Sequence, residues 1–274
     1  MKKIIMIVTV LVAAGALFAQ EEESAIWKKG GQGALNFSQT ALSNWSGGGM
    51  NAISLNSYVS LFANYRKDAA AWENMLDLAY GIVRQGSEMQ KTDDKIDLAS
   101  KFTYKISQSW GFSGLLGFKT QMTPGYDADT LLISSFAAPA YLQVATGMEY
   151  KPGDDLSILI APISGKMTFV ADTSLSTKYG VDPGKTARAE FGGFVKFQYR
   201  KEIIENVVFQ TKCELFSNYI ENPHYIDVNW DVLLSMKINK FLAASLSLQL
   251  VYDHDYSSKV QFRETLGLGL SFSF

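Results

Sequence analysis

Between residues 225 and 240 an apolar side chain stands at every second position: Ile226, Val228, Trp230, Val232, Leu234, Met236 and Ile238. Asp227, Asn229, Asp231, Ser235, Lys237 and Asn239 lie between them, and only Leu233 breaks the polar set. Side chains of an extended strand alternate between its faces, so this period predicts a ribbon with one apolar and one polar side. The same period recurs along the chain. Leu242, Ala244, Leu246, Leu248 and Leu250 oppose Ser245, Ser247 and Gln249; Phe191, Val195, Phe197 and Tyr199 oppose Arg188, Glu190, Lys196, Gln198 and Arg200. Ile96, Leu98, Phe102, Tyr104 and Ile106 oppose Asp97, Lys101, Thr103 and Lys105. Segments near 53–65, 72–84, 110–122, 140–150 and 207–219 follow suit, with Asn74 on the apolar side and a slip of parity at Pro162 that predicts a bulge.

These runs are about 10–15 residues long, beyond the usual five or six of a soluble strand. A tilted strand needs about 9–11 residues to cross a bilayer. With a first strand near 33–40, about twelve strands are expected, an even number as bacterial barrels have. Their links alternate in length. The compact ones are 66–70, 108–111, 151–155, 201–206 and 239–241; the others are 42–49, 86–94, 124–139, 171–186, 221–225 and 254–261. A bilayer cannot satisfy free backbone groups, so a sheet spans it only when closed. The pattern therefore predicts an all-β, closed antiparallel transmembrane β-barrel, apolar side to lipid and polar side to the lumen. A soluble sandwich is the competing reading. Short turns lie on the periplasmic side of such barrels, which places both termini in the periplasm. Tyr65, Trp72, Trp110, Tyr150 and Tyr199 fall near the periplasmic strand ends, and Trp230, Tyr219, Tyr252 and Phe262 near the outer ends.

The N-terminus adds a destination. Lys2 and Lys3 precede the apolar run IIMIVTVLVAAGALF, and Ala19 offers a cleavage position before Glu21, Glu22 and Glu23. The expected division is a signal peptide over 1–19, a periplasmic segment over 20–32 and an outer-membrane barrel over 33–274. Loss of Lys2 and Lys3 takes the formal net charge from −2 to −4, too mild to argue for nucleic acid. Cys213 is the one cysteine, which excludes a disulfide scaffold. The last nine residues, LGLGLSFSF, form an alternating strand with Leu266, Leu268, Leu270, Phe272 and Phe274 on one face. Its ending resembles the C-terminal signal, here Leu270, Phe272 and Phe274, that barrel-assembly machinery recognises.

The stretch 27–56, WKKGGQGALNFSQTALSNWSGGGMNAISLN, resembles an uncharacterised Bacteroidetes outer-membrane barrel family known as domain of unknown function 3078. Trp27, Gly30, Leu35, Asn36, Phe37, Gln39, Leu42, Asn44, Trp45, Gly48 and Gly49 carry the resemblance. It implies an outer-membrane location and no known activity. Read physically, Leu35 and Phe37 face lipid, Asn36 and Ser38 face inward, and Gly47, Gly48 and Gly49 make an outer turn.

Candidate chemistry is sparse. Barrel phospholipases and lipid A deacylases share a His-x-Ser pair on one strand face. Neither His224, followed by Tyr225 and Ile226, nor His254, followed by Asp255 and Tyr256, fits it. Asp253, His254 and Asp255 are similar to the Asp–His pairing of omptin-type proteases, but adjacent strand residues point to opposite faces. Asp93 and Asp94, or Asp127 and Asp129, lack a full calcium ligand set. GQGALN and GLGLS sit in no strand-to-helix unit and are not phosphate loops. No enzyme activity, cofactor or metal is expected.

The functional surface is then the lumen, lined by Asp77, Lys101, Lys105, Lys119, Glu149, Arg188, Glu190, Lys196, Lys212, Glu214, Asp227, Asp231 and Arg263, with Glu73, Asp97 and Lys237. Their balanced signs argue against a strongly ion-selective pore and for cross-strand pairing. Ala243, Ser245, Ser247, Gly267, Gly269 and Ser271 leave room for an inserted loop or a ligand, with links 124–139 and 171–186 as candidates to fill it. The expected partners are membrane lipid, the assembly machinery and a small solute. The leading expectation is a channel or uptake barrel; the alternative is a closed accessory barrel of an envelope complex.

Overall fold

The computed structural model describes residues 26–43, 50–127 and 131–273. The signal peptide expected over 1–19 lies outside the described residues, as do Asn44, Trp45, Gly47, Gly48, Gly49, Asp129 and Phe274.

Twelve antiparallel strands close into a barrel. They are β1 (Trp27–Thr40), β2 (Ala52–Lys67), β3 (Ala70–Gln85), β4 (Glu88–Lys105), β5 (Trp110–Thr120), β8 (Ala140–Tyr150), β9 (Leu156–Phe169), β10 (Ala187–Ile204), β11 (Val207–Asn218), β12 (Ile226–Lys237), β13 (Leu242–Asp253) and β14 (Ser257–Ser273). A small ribbon, β6 (Gly125–Tyr126) with β7 (Leu132–Ser134), occupies the link between β5 and β8. Each barrel strand pairs with its sequence neighbour in the wall, and β14 returns to β1.

Burial is inverted relative to a soluble protein. Asp97, Lys101, Glu149, Glu190, Lys196 and Lys212 are buried inside the barrel. Phe102, Phe112, Val144, Ile160, Leu266 and Phe272 stand exposed on its outside. An apolar exterior over a closed backbone ladder is the form in which a sheet can cross a bilayer. Asn74, on the outward face, is satisfied there: Trp72 Nε1 donates to Ser100 Oγ (2.9 Å), Ser100 Oγ to Asn74 Oδ1 (2.8 Å), and Asn74 Nδ2 to the Ala63 carbonyl (3.0 Å). Aromatic rings pair at the short-turn end, Trp27 with Tyr65 (5.4 Å) and Trp72 (5.7 Å), and Trp110 with Tyr150 (4.9 Å). Phe191 meets Tyr219 (6.0 Å) at the other end.

The structure departs from the expected boundaries in places. β1 begins at Trp27, so residues 27–32 belong to the wall and not to a preceding segment. The expected link 86–94 shrinks to a two-residue turn, since β3 and β4 stay paired to Gln85 and Glu88. Gly86 at φ 61° makes that turn. The hairpin tip is polar on both sides, and backbone pairing outside the lipid needs no apolar face. β10 likewise runs on to Ile204 and β14 begins at Ser257. The parity slip at Pro162 appears as register shifts on both flanks, at Thr146/Met148 and at Gly192/Phe194. Gly147 permits it: a Cβ there would lie 2.0 Å from the Ile160 carbonyl oxygen.

The closure between β1 and β14 is short. Among the described residues five pairs join them, from Gln32 opposite Ser273 to Asn36 opposite Gly269, whereas fourteen join β1 to β2.

Candidate functional site: a braced lumen below a covered chamber

Alternation places every second residue of each strand in the lumen, so inward charges recur at even spacings: Lys212 and Glu214 on β11 and Arg188 and Glu190 on β10 at i, i+2, and Asp227 and Asp231 on β12 at i, i+4. What they meet depends on closure. Near the short turns, Lys101 Nζ bonds Glu73 Oε2 (2.8 Å) and also Glu149. Glu149 further accepts from Thr103 Oγ1 (2.7 Å) and Ser157 Oγ (2.6 Å). Lys151 pairs with Glu73 from the β8–β9 turn.

The middle layer crosses the lumen. Lys212 Nζ on β11 bonds Asp97 Oδ2 on β4 at 2.8 Å, and these strands stand five places apart in the ring of twelve. Lys95 on β4 approaches Asp231 on β12 at 3.7 Å, from the opposite side of the barrel. Glu214 takes Lys196 (3.0 Å) and Lys119. These bonds brace facing walls across the middle of the lumen.

Toward the long links, Lys166 on β9 bonds Asp227 (2.6 Å) and Asp253 (2.9 Å). Arg188 bonds Glu190 (2.8 Å) and Asp255 (2.7 Å), and Arg263 pairs with Asp93. Above this layer the links form a roof. Ala138, Val170, Leu175, Tyr179 and Val181 pack together, Tyr179 OH donates to the Ile133 carbonyl (2.6 Å), and its ring stacks on Tyr256 at 5.2 Å. Burial pushes the Tyr179 phenol up. Asp172 caps the turn that carries Leu175 by accepting from Ser174 N (3.0 Å) and Oγ (2.7 Å), which holds its carboxyl below the usual range. Between roof and middle layer lies a chamber of about 500 Å³.

The expected lumen residues are thus drawn into ion pairs, except Asp77, Lys105 and Lys237, the last of which stands exposed at the end of β12. Asp77 is buried and accepts from Tyr58 OH (3.2 Å), while Lys105 stands exposed at the short-turn mouth. Of the expected assembly signal, Leu270 and Phe272 face outward, and Phe274 lies outside the described residues. The space beside Gly267 and Gly269 holds the Asn36 side chain, with Asn36 atoms 2.6 Å from a Cβ at either glycine. The two long links cover the mouth instead of filling that space.

The omptin-like trio is dispersed: Asp253 serves Lys166, Asp255 serves Arg188, and His254 stacks on Tyr225 at 3.6 Å. Asp94 receives Lys91 Nζ (2.9 Å), Met122 N (2.7 Å) and the amide (2.9 Å) and hydroxyl (2.7 Å) of Thr123 as a loop cap. Among the described residues no group of three His, Cys, Asp or Glu is placed to hold a metal.

Two features escape the pattern. Leu115, Phe194 and Phe216 form an apolar patch inside the lumen; Phe194 shares the parity of Glu190 and Lys196 but is apolar like the lipid-facing set, and Phe216 follows another apolar residue, Leu215. His254 stacks on Tyr225 from another link, and His224, next to Tyr225 in the chain, tilts against the same ring.

The chain is a membrane-spanning β-barrel of the outer-membrane type. The matching family model, "Protein of unknown function (DUF3078)", covers residues 37–126. That span starts in β1 and overlaps the stretch that carries the sequence resemblance. No curated protein matches the chain. Among solved structures, the translocator domain of autotransporter NalP from Neisseria meningitidis is similar at 10% identity and TM-score 0.42, covering 98% of this chain and 95% of that one. An outer membrane channel from Pseudomonas putida F1 aligns at 10% identity and TM-score 0.40, over 93% and 99%. Outer membrane phospholipase A from Escherichia coli aligns at 12% identity and TM-score 0.40, over 94% and 96%. The three differ in activity, so the barrel assignment rests on the closed ladder and its apolar exterior.

Proposed function

We propose that the protein is an integral outer-membrane uptake barrel for small polar solutes, with both termini periplasmic and membrane insertion by the barrel-assembly machinery. The observation that carries this reading is the stacking of a covered chamber on a layer of cross-lumen ion pairs. A solute enters from the long-link side, and passage inward requires Lys212 and Asp97 to part. The placement of shorter turns at the end where β1 begins and β14 finishes supports the orientation. Both histidine rings lie against Tyr225, and His254 Nδ1 is 3.4 Å from Tyr252 OH, an arrangement that supports transport over catalysis.

Single-channel recording in planar bilayers tests the reading. Reproducible conductance steps, rare at rest because of the bracing, are expected. A correctly folded barrel that stays silent at every applied voltage would favour the second reading, a closed accessory barrel of an envelope complex. The bond between Lys212 and Asp97 across the lumen is the observation that favours that reading.

A further inference from the structure

The chamber has a chemical character of its own, and reading it rests on the uptake function proposed above. Its cations are already engaged. Lys166 holds Asp227 and Asp253, Lys119 and Lys196 share Glu214, and Arg263 holds Asp93. An anionic or cationic ligand would have to displace one of these partners. Thr168 Oγ1, Arg188 Nε and Asp231 Oδ2 are buried elsewhere without a hydrogen-bond partner, but among the described residues that line the chamber the unmet buried side-chain atoms are amide atoms, Gln143 Nε2 on β8 and Asn229 Oδ1 on β12. Both residues line the chamber, and their strands stand four places apart in the ring. A buried donor on one wall and a buried acceptor on another suit a ligand with hydroxyls at both ends. Phe194 and Phe216 add flat apolar wall, with Tyr179 and Tyr256 above. A volume near 500 Å³ lies within the span of about 300–1,000 Å³ typical of small-molecule sites built from apolar walls and a few placed polar groups.

We propose that this chamber binds a neutral polyhydroxylated solute of mono- to disaccharide size. Gln143 donates to it, Asn229 accepts from it, and the rings of Phe194 and Phe216 cover its less polar face.

The folded barrel, extracted from membranes into lauryl dimethylamine oxide so that no sugar detergent competes, is titrated calorimetrically with maltose, glucose, gluconate and glucosamine. A saturable isotherm is expected for at least one neutral sugar, with gluconate and glucosamine at least tenfold weaker. Gln143→Leu and Asn229→Leu should each weaken sugar binding tenfold or more while the barrel stays heat-modifiable. No saturable heat from either neutral sugar, equal binding of the charged analogues, or undiminished binding in both folded variants would overturn the assignment. The ligand panel on the unaltered protein decides the matter if a variant fails to fold. Conductance of the same preparation separates the two ideas. A conducting barrel that ignores both sugars sinks the ligand class alone, and a silent barrel that binds one sinks the channel reading alone.

Discussion

Glu149 shows what holding a charge inside this barrel requires. Its two carboxylate oxygens receive Lys101, Thr103 and Ser157, drawn from β4 and β9. Removal of one member of a buried pair leaves an uncompensated charge, at a cost of about 3–5 kcal/mol. Lys101→Met should therefore destabilise strongly, and Lys101→Met with Glu149→Leu should recover most of the loss, as read by tryptophan fluorescence during urea unfolding. Equal losses in the single and double variants would show that the pair does not act as a unit. Which face each of these residues takes was legible from parity. Their partners were not, because Lys212 and Asp97 lie 115 residues apart and meet only through the closure of the ring.

At the scale of the strand, apolar alternation revealed elements wherever lipid imposes it and lost their ends where water takes over. β4 extends through Glu88–Asp94, polar except for Met89 and without apolar alternation, so the turn at Gly86 was hidden. β13 lies largely within the legible region and offers a direct test. Leu246 faces outward opposite Leu266, and Ser247 faces inward opposite Thr265. Leu246→Arg near mid-bilayer should cost about 2–4 kcal/mol, and Ser247→Arg should cost clearly less in the same refolding titration into lipid vesicles. Comparable losses would invert the facing of the strand. Gly147→Val tests the bulge: its Cβ meets backbone at 2.0 Å, so β8 and β9 must separate locally. Reduced yield of heat-modifiable barrel is the expected result, with no such loss for Gly114→Val, where a Cβ meets nothing within 4 Å.

At the scale of the whole molecule, the strand count, the inverted burial and the charged interior all follow from one period in the sequence. The braced cross-section does not, since it depends on which walls face each other. If the middle layer is the barrier, Asp97→Ala with Lys212→Ala should raise the open probability or unit conductance at least several-fold while leaving the barrel folded. No change would place the barrier in the roof of Tyr179 and Tyr256. The wall itself is fastened unevenly. β1 and β14 are stitched only from Asn36 and Gly269 down to the short-turn end, so above Gly269 the edge of β14 lacks the ladder that protects amides elsewhere. Hydrogen exchange should find Leu266 and Leu268 among the first membrane-level amides to label, ahead of Leu246 and Leu248 on β13. A barrel with such a partly fastened seam comes apart from its outer rim downward along one line, and that line fixes where it would tear under force.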